Sequence, residues 1–331
     1  MRIFVSGGAG FIGSNLVRTL LKDGHEIKVL DNLSTGRIEN IDPFRFQNNF
    51  EFIKGNVANR ETVRTLTEWA DQVYHLAAPV GVKYIMDNPV LTILDNVRGI
   101  DCILEAAKDF KKRVMVASTS EVYGRNLDFL DPTGVAKLNE EDYRVEGSTQ
   151  NHRWAYANTK ALDEFLSLAY FKQYGTEVVV VRFFNTVGPQ QLSKFGMVIP
   201  NFVEKALRGE SVTVYGSGEQ KRSFMHVSDA IRAVRALMET GKGVGKVYNV
   251  GNPFEVTINF LAERIIELTG SKSKLEHISY ETAYGSGFED MMRRTADITR
   301  LKETLDFEIE YDLDAILKDV IEYKASTLNK V

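Results

Sequence analysis

Tyr156 and Lys160 stand four residues apart in Tyr156-Ala157-Asn158-Thr159-Lys160. If that stretch is helical, both side chains share one face. A free tyrosine, with a pKa near ~10, is a poor base at neutral pH. A nearby ammonium favours the phenolate, and the pair could then take a proton from an alcohol or sugar hydroxyl. The chain has 13 tyrosines, so the spacing alone has little force. Its weight comes from a second stretch, Ser118-Thr119-Ser120-Glu121-Val122-Tyr123-Gly124. Hydroxyls there can hydrogen-bond a reacting oxygen, and the Glu121 carboxyl can act as acid or base.

A third signal is Gly7-Gly8-Ala9-Gly10-Phe11-Ile12-Gly13. Missing side chains let the backbone approach a pyrophosphate closely. A helix starting there points unpaired N–H groups and partial positive charge at the anion. The spacing Gly-x-x-Gly-x-x-Gly is a variant of the dinucleotide fingerprint. Asp31 falls where an acid meets the adenosine ribose hydroxyls. Its charge would repel a 2′-phosphate, which favours NAD over NADP.

The elements that must position these groups alternate along the first half of the chain. Arg2–Ser6 is a short β-rich run. Phe11–Lys22 carries Phe11, Ile12, Leu16, Leu20 and Leu21 at helical spacing and is capped by Gly24. Ile27–Leu30, Phe50–Lys54, Gln72–Leu76, Arg113–Ser118 and Val178–Arg182 read as further strands. In the last of these, consecutive valines leave no solvent face. Pro89–Phe110 and Ala155–Tyr174 read as long helices. This predicts an α/β fold with a doubly wound parallel sheet and helices on both faces. Ser118–Gly124 then emerges at the carboxyl edge of the sheet, where ligands bind in such folds.

After Arg182 the segments shorten and glycines punctuate them, which predicts a smaller lobe laid over the open sheet edge. Val227–Thr240 and Lys246–Val250 read as a helix–strand pair returning to the first domain. Thr257–Leu268 and Leu313–Ser326 read as helices. The expected division is 1–182 with about 223–250 in the first domain, and 183–222 with 251–331 in the lobe.

The 331 residues are 44% hydrophobic and 26% charged, as in an ordinary soluble globular protein. A net charge of −4 gives no whole-chain attraction to nucleic acid or an anionic membrane. Val178–Val181 is far short of the ~20 residues of a membrane helix. The apolar run at the N-terminus is too short for a signal peptide. A lone cysteine, Cys102, permits no intrachain disulfide and fits a cytoplasmic location. The five histidines are scattered, so no metal is expected.

Taken together, the chain resembles the extended short-chain dehydrogenase/reductase family: the NAD-dependent nucleotide-sugar epimerases, dehydratases and decarboxylases. The resemblance covers nearly the whole chain. Beyond the three stretches above, it rests on Asp31-Asn32, His75-Leu76-Ala77-Ala78, Asn96-Val97-Arg98-Gly99, Arg182-Phe183-Phe184-Asn185, Arg222-Ser223-Phe224 and Val227-Ser228-Asp229. It implies a Rossmann-type sheet. It implies that Gly7, Gly10, Gly13, Asp31 and Asn32 hold the adenosine diphosphate of NAD, with Phe11, Ile12, Val57 and Phe183 among the cofactor contacts. Asn56 stands where the family usually has aspartate against the adenine, and it can still accept a hydrogen bond. Leu76, Ala77 and Ala78 would line the cofactor path, with Asn96 near it. Lys160 would grip the nicotinamide ribose, and Thr119 would assist Tyr156. Asn185 and Arg222 would contact a UDP-sugar diphosphate, Tyr215 would stack on uracil, and Val198 and Arg294 would make further substrate contacts.

The shared first step implied by the resemblance is oxidation at C4 of the sugar. The 4-keto sugar can then be reduced on its other face, lose water across C5–C6, or lose a C6 carboxylate as carbon dioxide. Glu121 helps to choose, because simple 4-epimerisation needs no carboxyl there. Ser120 stands where dTDP-glucose-type dehydratases have aspartate. Thr119-Ser120-Glu121 looks like the UDP-glucuronate decarboxylases and is also similar to GDP-mannose dehydratases. The tail 284–290 with Arg294 resembles the 4-keto-pentose-forming decarboxylases. UDP-glucuronate decarboxylation is therefore expected first. A UDP-hexose 4-epimerase and a 4,6-dehydratase are the alternatives. A catalytically dead dinucleotide sensor is disfavoured because Tyr156, Lys160 and Thr119 all remain. A net NAD-consuming dehydrogenase would accumulate NADH. The family also implies a homodimer through helices 89–110 and 155–174.

Overall fold

The structure is a computed structural model that describes residues 1–79, 88–131, 133–193, 197–284 and 290–328. Six strands lead the chain: β1 (Arg2–Ser6), β2 (Glu26–Asp31), β3 (Phe50–Lys54), β4 (Gln72–His75), β5 (Arg113–Thr119) and β6 (Val178–Phe183). With Lys246–Val250 they form a seven-stranded sheet, in the order Lys246–Val250, β6, β5, β4, β1, β2, β3. Every neighbouring pair is parallel. This is the doubly wound Rossmann-type arrangement anticipated from the strand–helix alternation.

Strand alternation feeds two cores. Ile3 and Val5 of β1 join one face with Leu16 and Leu20 of helix α1 (Phe11–Lys22) and Leu237 of Val227–Thr240. Phe4 points to the other face, with Val63 and Leu66 of Arg60–Trp69 and Ile100, Ile103 and Leu104 of Pro89–Phe110. In β6, Val179 and Val181 serve the first core and Val178 and Val180 the second. That is why all four are valine: each face is roofed by helices, and each buried side chain is worth about 1.5–3 kcal/mol. Arg60–Trp69 has only a thin buried stripe, Val63, Leu66 and Thr67, and the sequence pattern did not announce it. Its start is fixed by Asn59, whose side chain accepts from Thr62 N–H at 3.0 Å.

A third core, around Phe202, Val212, Leu261, Ile316 and Leu317, holds the smaller lobe. It joins the helices Val198–Arg208, Ile258–Thr269 and Leu313–Leu328 to small sheets. One sheet of the lobe carries Arg222 and Arg294 side by side, because Lys221–Ser223 pairs in parallel with Arg293–Arg294. Ala296, Ile298, Leu301 and Phe307 pack into the first core, so this stretch returns to the large domain.

β1 has β4 on one side and β2 on the other. The crossovers leave it in opposite directions, which opens a crevice at the carboxyl ends of these strands. The lobe faces that crevice.

Candidate active site

A cavity of about 880 Å³ fills the crevice and is lined by the sheet's carboxyl ends and by the lobe. That volume is in the range of small-molecule sites.

Its first half is built on backbone. Gly7 sits at φ +75°, in the left-handed region. A Cβ on Gly13 would lie 2.2 Å from the Gly7 carbonyl oxygen, so only glycine fits. Gly10 N–H donates to the Gly7 carbonyl at 3.1 Å, closing the turn into α1. Gly10, Phe11, Ile12 and Gly13 therefore present the opening turn of α1 to the cavity. Asp31, 7% exposed, ends β2 at the cavity wall. Its carboxylate accepts from Ala9 N–H at 3.0 Å and Leu33 N–H at 2.8 Å. Burial raises its pKa, against the lowering pull of those two donors. Asn32, Asn56, Val57, Leu76, Ala77, Ala78 and Phe183 also line this half. Asn56 turns its side-chain oxygen to Ala58 N–H at 2.8 Å. A helix start without side chains in the way, followed by a carboxylate at the end of the next strand, fits a dinucleotide.

The second half carries the chemistry. Thr119, Glu121 and Tyr156 line it, together with Asn185, Val198, Tyr215, Arg222 and Arg294. Thr119 Oγ1 accepts from Glu121 N–H at 3.2 Å and starts the short turn Ser120–Tyr123. Glu121 is clamped between two guanidinium groups, Arg153 at 2.5 Å and Arg294. Burial pushes its carboxyl pKa up, but the two arginines outweigh burial and hold it at about 2. Arg294 also donates to Asn185 Oδ1 at 2.6 Å. Asn185 Nδ2 donates to Ser223 carbonyl at 2.8 Å, with Asn185 held at φ +33°. Asp290 accepts from Arg222 at 3.0 Å and from the Tyr280 hydroxyl at 3.3 Å, and lies 3.8 Å from Arg153.

Several expectations change. Ser120 is 2% exposed and does not line the cavity, because it turns into the packing beneath the turn. Asn96 is also buried away from the cavity, and its Nδ2 donates to Thr159 Oγ1 at 3.2 Å between the two long helices. Lys160 is 2% exposed, lies behind the cavity wall, and donates to Asp163 at 2.7 Å. The phenol of Tyr156 is accordingly not shifted toward phenolate. Burial, then the Glu121 and Asp163 carboxylates, raise its pKa above the ordinary tyrosine value. Glu121, anticipated as acid or base, is held as the carboxylate and can only accept. In the tail 284–290, residues 285–289 lie outside the described residues; Asp290 lines the cavity.

Arg153 was not singled out by the motifs, although it lies three residues before Tyr156. A single arginine ahead of a helix has no pattern of its own. Its partners come from the turn after β5 and from the lobe, contacts that only the fold brings together.

Comparison with known proteins agrees with this geometry. A family model described as GDP-mannose 4,6 dehydratase matches residues 4–320. A UDP-N-acetyl-alpha-D-glucosaminuronate decarboxylase of Bacillus cytotoxicus is 38% identical over 97% of this chain and 97% of that protein. UDP-glucuronic acid decarboxylase 1 of Xenopus tropicalis is 39% identical over 97% of this chain and 72% of that protein. Among solved structures, dTDP-glucose 4,6-dehydratase from Bacillus anthracis in complex with NAD superposes with a TM-score of 0.86 and 29% identity. The match covers 99% of this chain and 98% of that one. UDP-glucose 4-epimerase from Thermotoga maritima with UDP-glucose gives 0.85 at 29% identity, over 99% of this chain and 100% of that one. The chain therefore belongs to the extended short-chain dehydrogenase/reductases, in the family of NAD-dependent nucleotide-sugar epimerases, dehydratases and decarboxylases.

Proposed function

We propose that this enzyme is an NAD-dependent decarboxylase of a UDP-uronate, UDP-glucuronate first, forming a UDP-pentose or UDP-4-keto-pentose. The observation that carries the reading is the Arg294–Glu121–Arg153 cluster beside Tyr156 in the cavity. It supplies cations for a C6 carboxylate and a carboxylate, Glu121, that holds both guanidinium groups in place. The decarboxylases among its relatives support the same reading.

In this reading the glycine turn, α1 and Asp31 hold NAD. When bound, NAD⁺ would supply a two-electron acceptor and a positive charge. Tyr156 Oη takes the proton of the sugar 4-hydroxyl, and Thr119 Oγ1 hydrogen-bonds the same oxygen. A ketone at C4 makes the C6 carboxylate a β-keto acid. The C5–C6 bond breaks, carbon dioxide leaves, and the electron pair passes to an enolate over C5, C4 and O4; a proton from solvent at C5 gives the UDP-4-keto-pentose, and return of the two electrons to C4 with the Tyr156 proton to O4 gives the UDP-pentose. Arg294 and Arg153 stabilise the charge. Arg222 and Asn185 hold the diphosphate, Tyr215 stacks on the base, and Val198 packs beside them.

Incubation with UDP-glucuronate and NAD tests the reading. Carbon dioxide and a UDP-pentose are the expected products. UDP-galacturonate, or no reaction with either UDP-glucuronate or its 2-N-acetyl analogue, refutes it.

The assembly in this reading is a cytoplasmic homodimer. The adjoining helices Pro89–Phe110 and Ala155–Tyr174 leave Val90, Leu91, Leu94, Leu162 and Phe165 exposed, Val90 at 68% and Phe165 at 65%. An apolar face of that kind across two neighbouring helices supports pairing with its copy. Among the described residues no helix is long and apolar enough to cross a membrane.

A further inference from the structure

Lys160 Nζ donates to Asp163 Oδ2 at 2.7 Å, one turn along its own helix. Both are out of water, Lys160 at 2% exposure and Asp163 at 0%. The other Asp163 oxygen is buried with no hydrogen-bond partner among the described residues. A carboxylate buried with an open oxygen is costly, and packing alone does not call for one. We propose that Asp163 is a positioning residue for the catalytic pair: it holds Lys160 Nζ back along the helix, behind the cavity wall, and so governs when Tyr156 acts as a base. This rests on the NAD-linked reading of Tyr156 and Lys160, and not on which uronate is the substrate.

The surroundings leave that role to Asp163. From its own helix Glu164 faces it, but Glu164 is paired with Arg182 of β6 at 2.7 Å. From β4, His75 faces Lys160. Burial, then Lys160, lower its pKa to about 3, so it is neutral, and its Nδ1 meets Ser6 Oγ at 2.8 Å. From Pro89–Phe110 the neutral Asn96 reaches Thr159, and Asp95 stands at the cavity wall. From the turn after β5, Glu121 faces Tyr156 but is held by Arg153 and Arg294. An ammonium matched by its own carboxylate exerts little net field on the phenol. Nζ must move away from Asp163 to reach a group in the cavity, so the hold of this pair sets when the phenol feels an unmatched ammonium.

The test is the ionisation of Tyr156, read as the phenolate absorbance difference between the NAD-loaded protein and its Tyr156→Phe variant across pH. In the Asp163→Asn background the Tyr156 signal is expected about one pH unit lower. Asp163→Glu, which keeps the charge, is expected to restore the original position. Superimposable titrations for Asp163→Asn and the unchanged protein overturn the proposal. If Asp163→Asn does not fold, Asp163→Ser leaves room for a water at Nζ and carries the same test. Failure of both, with Asp163→Leu/Lys160→Met folded, would make the pair a matter of stability alone and also overturn it. Because no sugar is present, a shifted titration without turnover of UDP-glucuronate counts against the decarboxylase reading only.

Discussion

Glu121→Gln removes one negative charge from between two buried guanidinium groups while keeping the side-chain shape. The carboxyl sits at about 2 in the folded protein instead of 4.5, because Arg153 and Arg294 overcome the cost of burial. That difference is worth about 3 kcal/mol at neutral pH. It is comparable with the ~3–5 kcal/mol lost when one partner of a buried pair is removed. The direction with pH follows from the lowered value. The contribution is fully present above the ordinary glutamate pKa of 4.5 and drains away as pH falls toward about 2. Glu121→Gln never has it. Urea denaturation at pH 7 should place the variant about 3 kcal/mol below the unchanged protein. At pH 3 the gap should narrow to roughly two-fifths of that. Equal midpoints at pH 7, or a gap that does not narrow with acid, would refute the clamp. Folded Glu121→Gln should also loosen the two arginines that face the substrate, lowering turnover with NAD binding retained.

Tyr156→Phe removes only the hydroxyl, so calorimetry should find NAD bound as before while turnover falls ~10²–10⁴-fold. Gly13→Ala drives a Cβ to 2.2 Å from the Gly7 carbonyl oxygen and should cost about 3 kcal/mol in denaturation, with NAD binding lost. Asp31→Ser should weaken NAD ~10-fold and narrow the preference over NADP, read from the two dissociation constants. Leu94→Glu with Phe165→Glu puts charges on the exposed helix face and should yield a monomer in sedimentation.

Most of the dinucleotide half was legible in the sequence, because its parts are local. A glycine turn must sit between one strand and one helix, and Asp31 closes the next strand. The alternation of β1 and the valines of β6 likewise carry their own burial pattern. What stayed hidden is made of long-range pairs. Arg153 meets Glu121 across 32 residues and Arg294 meets it across 173. The Lys160–Asp163 pair is only three residues long, yet it was equally hidden. An aspartate at that spacing on an exposed helix face is commonplace, and only burial makes it consequential. The orientation of Ser120 has the same cause. In the polar run Ser118–Glu121, the bend of the turn decides which residues face the cavity, and no periodicity encodes that bend.

The charges of the substrate half also bear on which fate a 4-keto sugar meets. Arg153, Arg222 and Arg294 face Glu121 and Asp290, an excess of one positive charge within this cluster. Asp290 pairs with Arg222 and lies near Arg153, in the manner of an internal anion. On the proposed reading the diphosphate replaces Asp290 at Arg222, and the C6 carboxylate shares Arg153 and Arg294 with Glu121. Epimerisation requires the keto sugar to turn over before it is reduced. A C6 carboxylate tethered to an arginine resists that turn by roughly 1.5–3 kcal/mol for each charge-assisted bond broken. Loss of carbon dioxide needs no turn, and it removes the tether. The cluster that admits a uronate therefore works against its epimerisation, and UDP-galacturonate should be scarce beside the UDP-pentose. Arg153→Met, which removes one tether, should raise the share of UDP-galacturonate among the products. An unchanged product ratio in that variant would mean that the arginines do not restrain the ring.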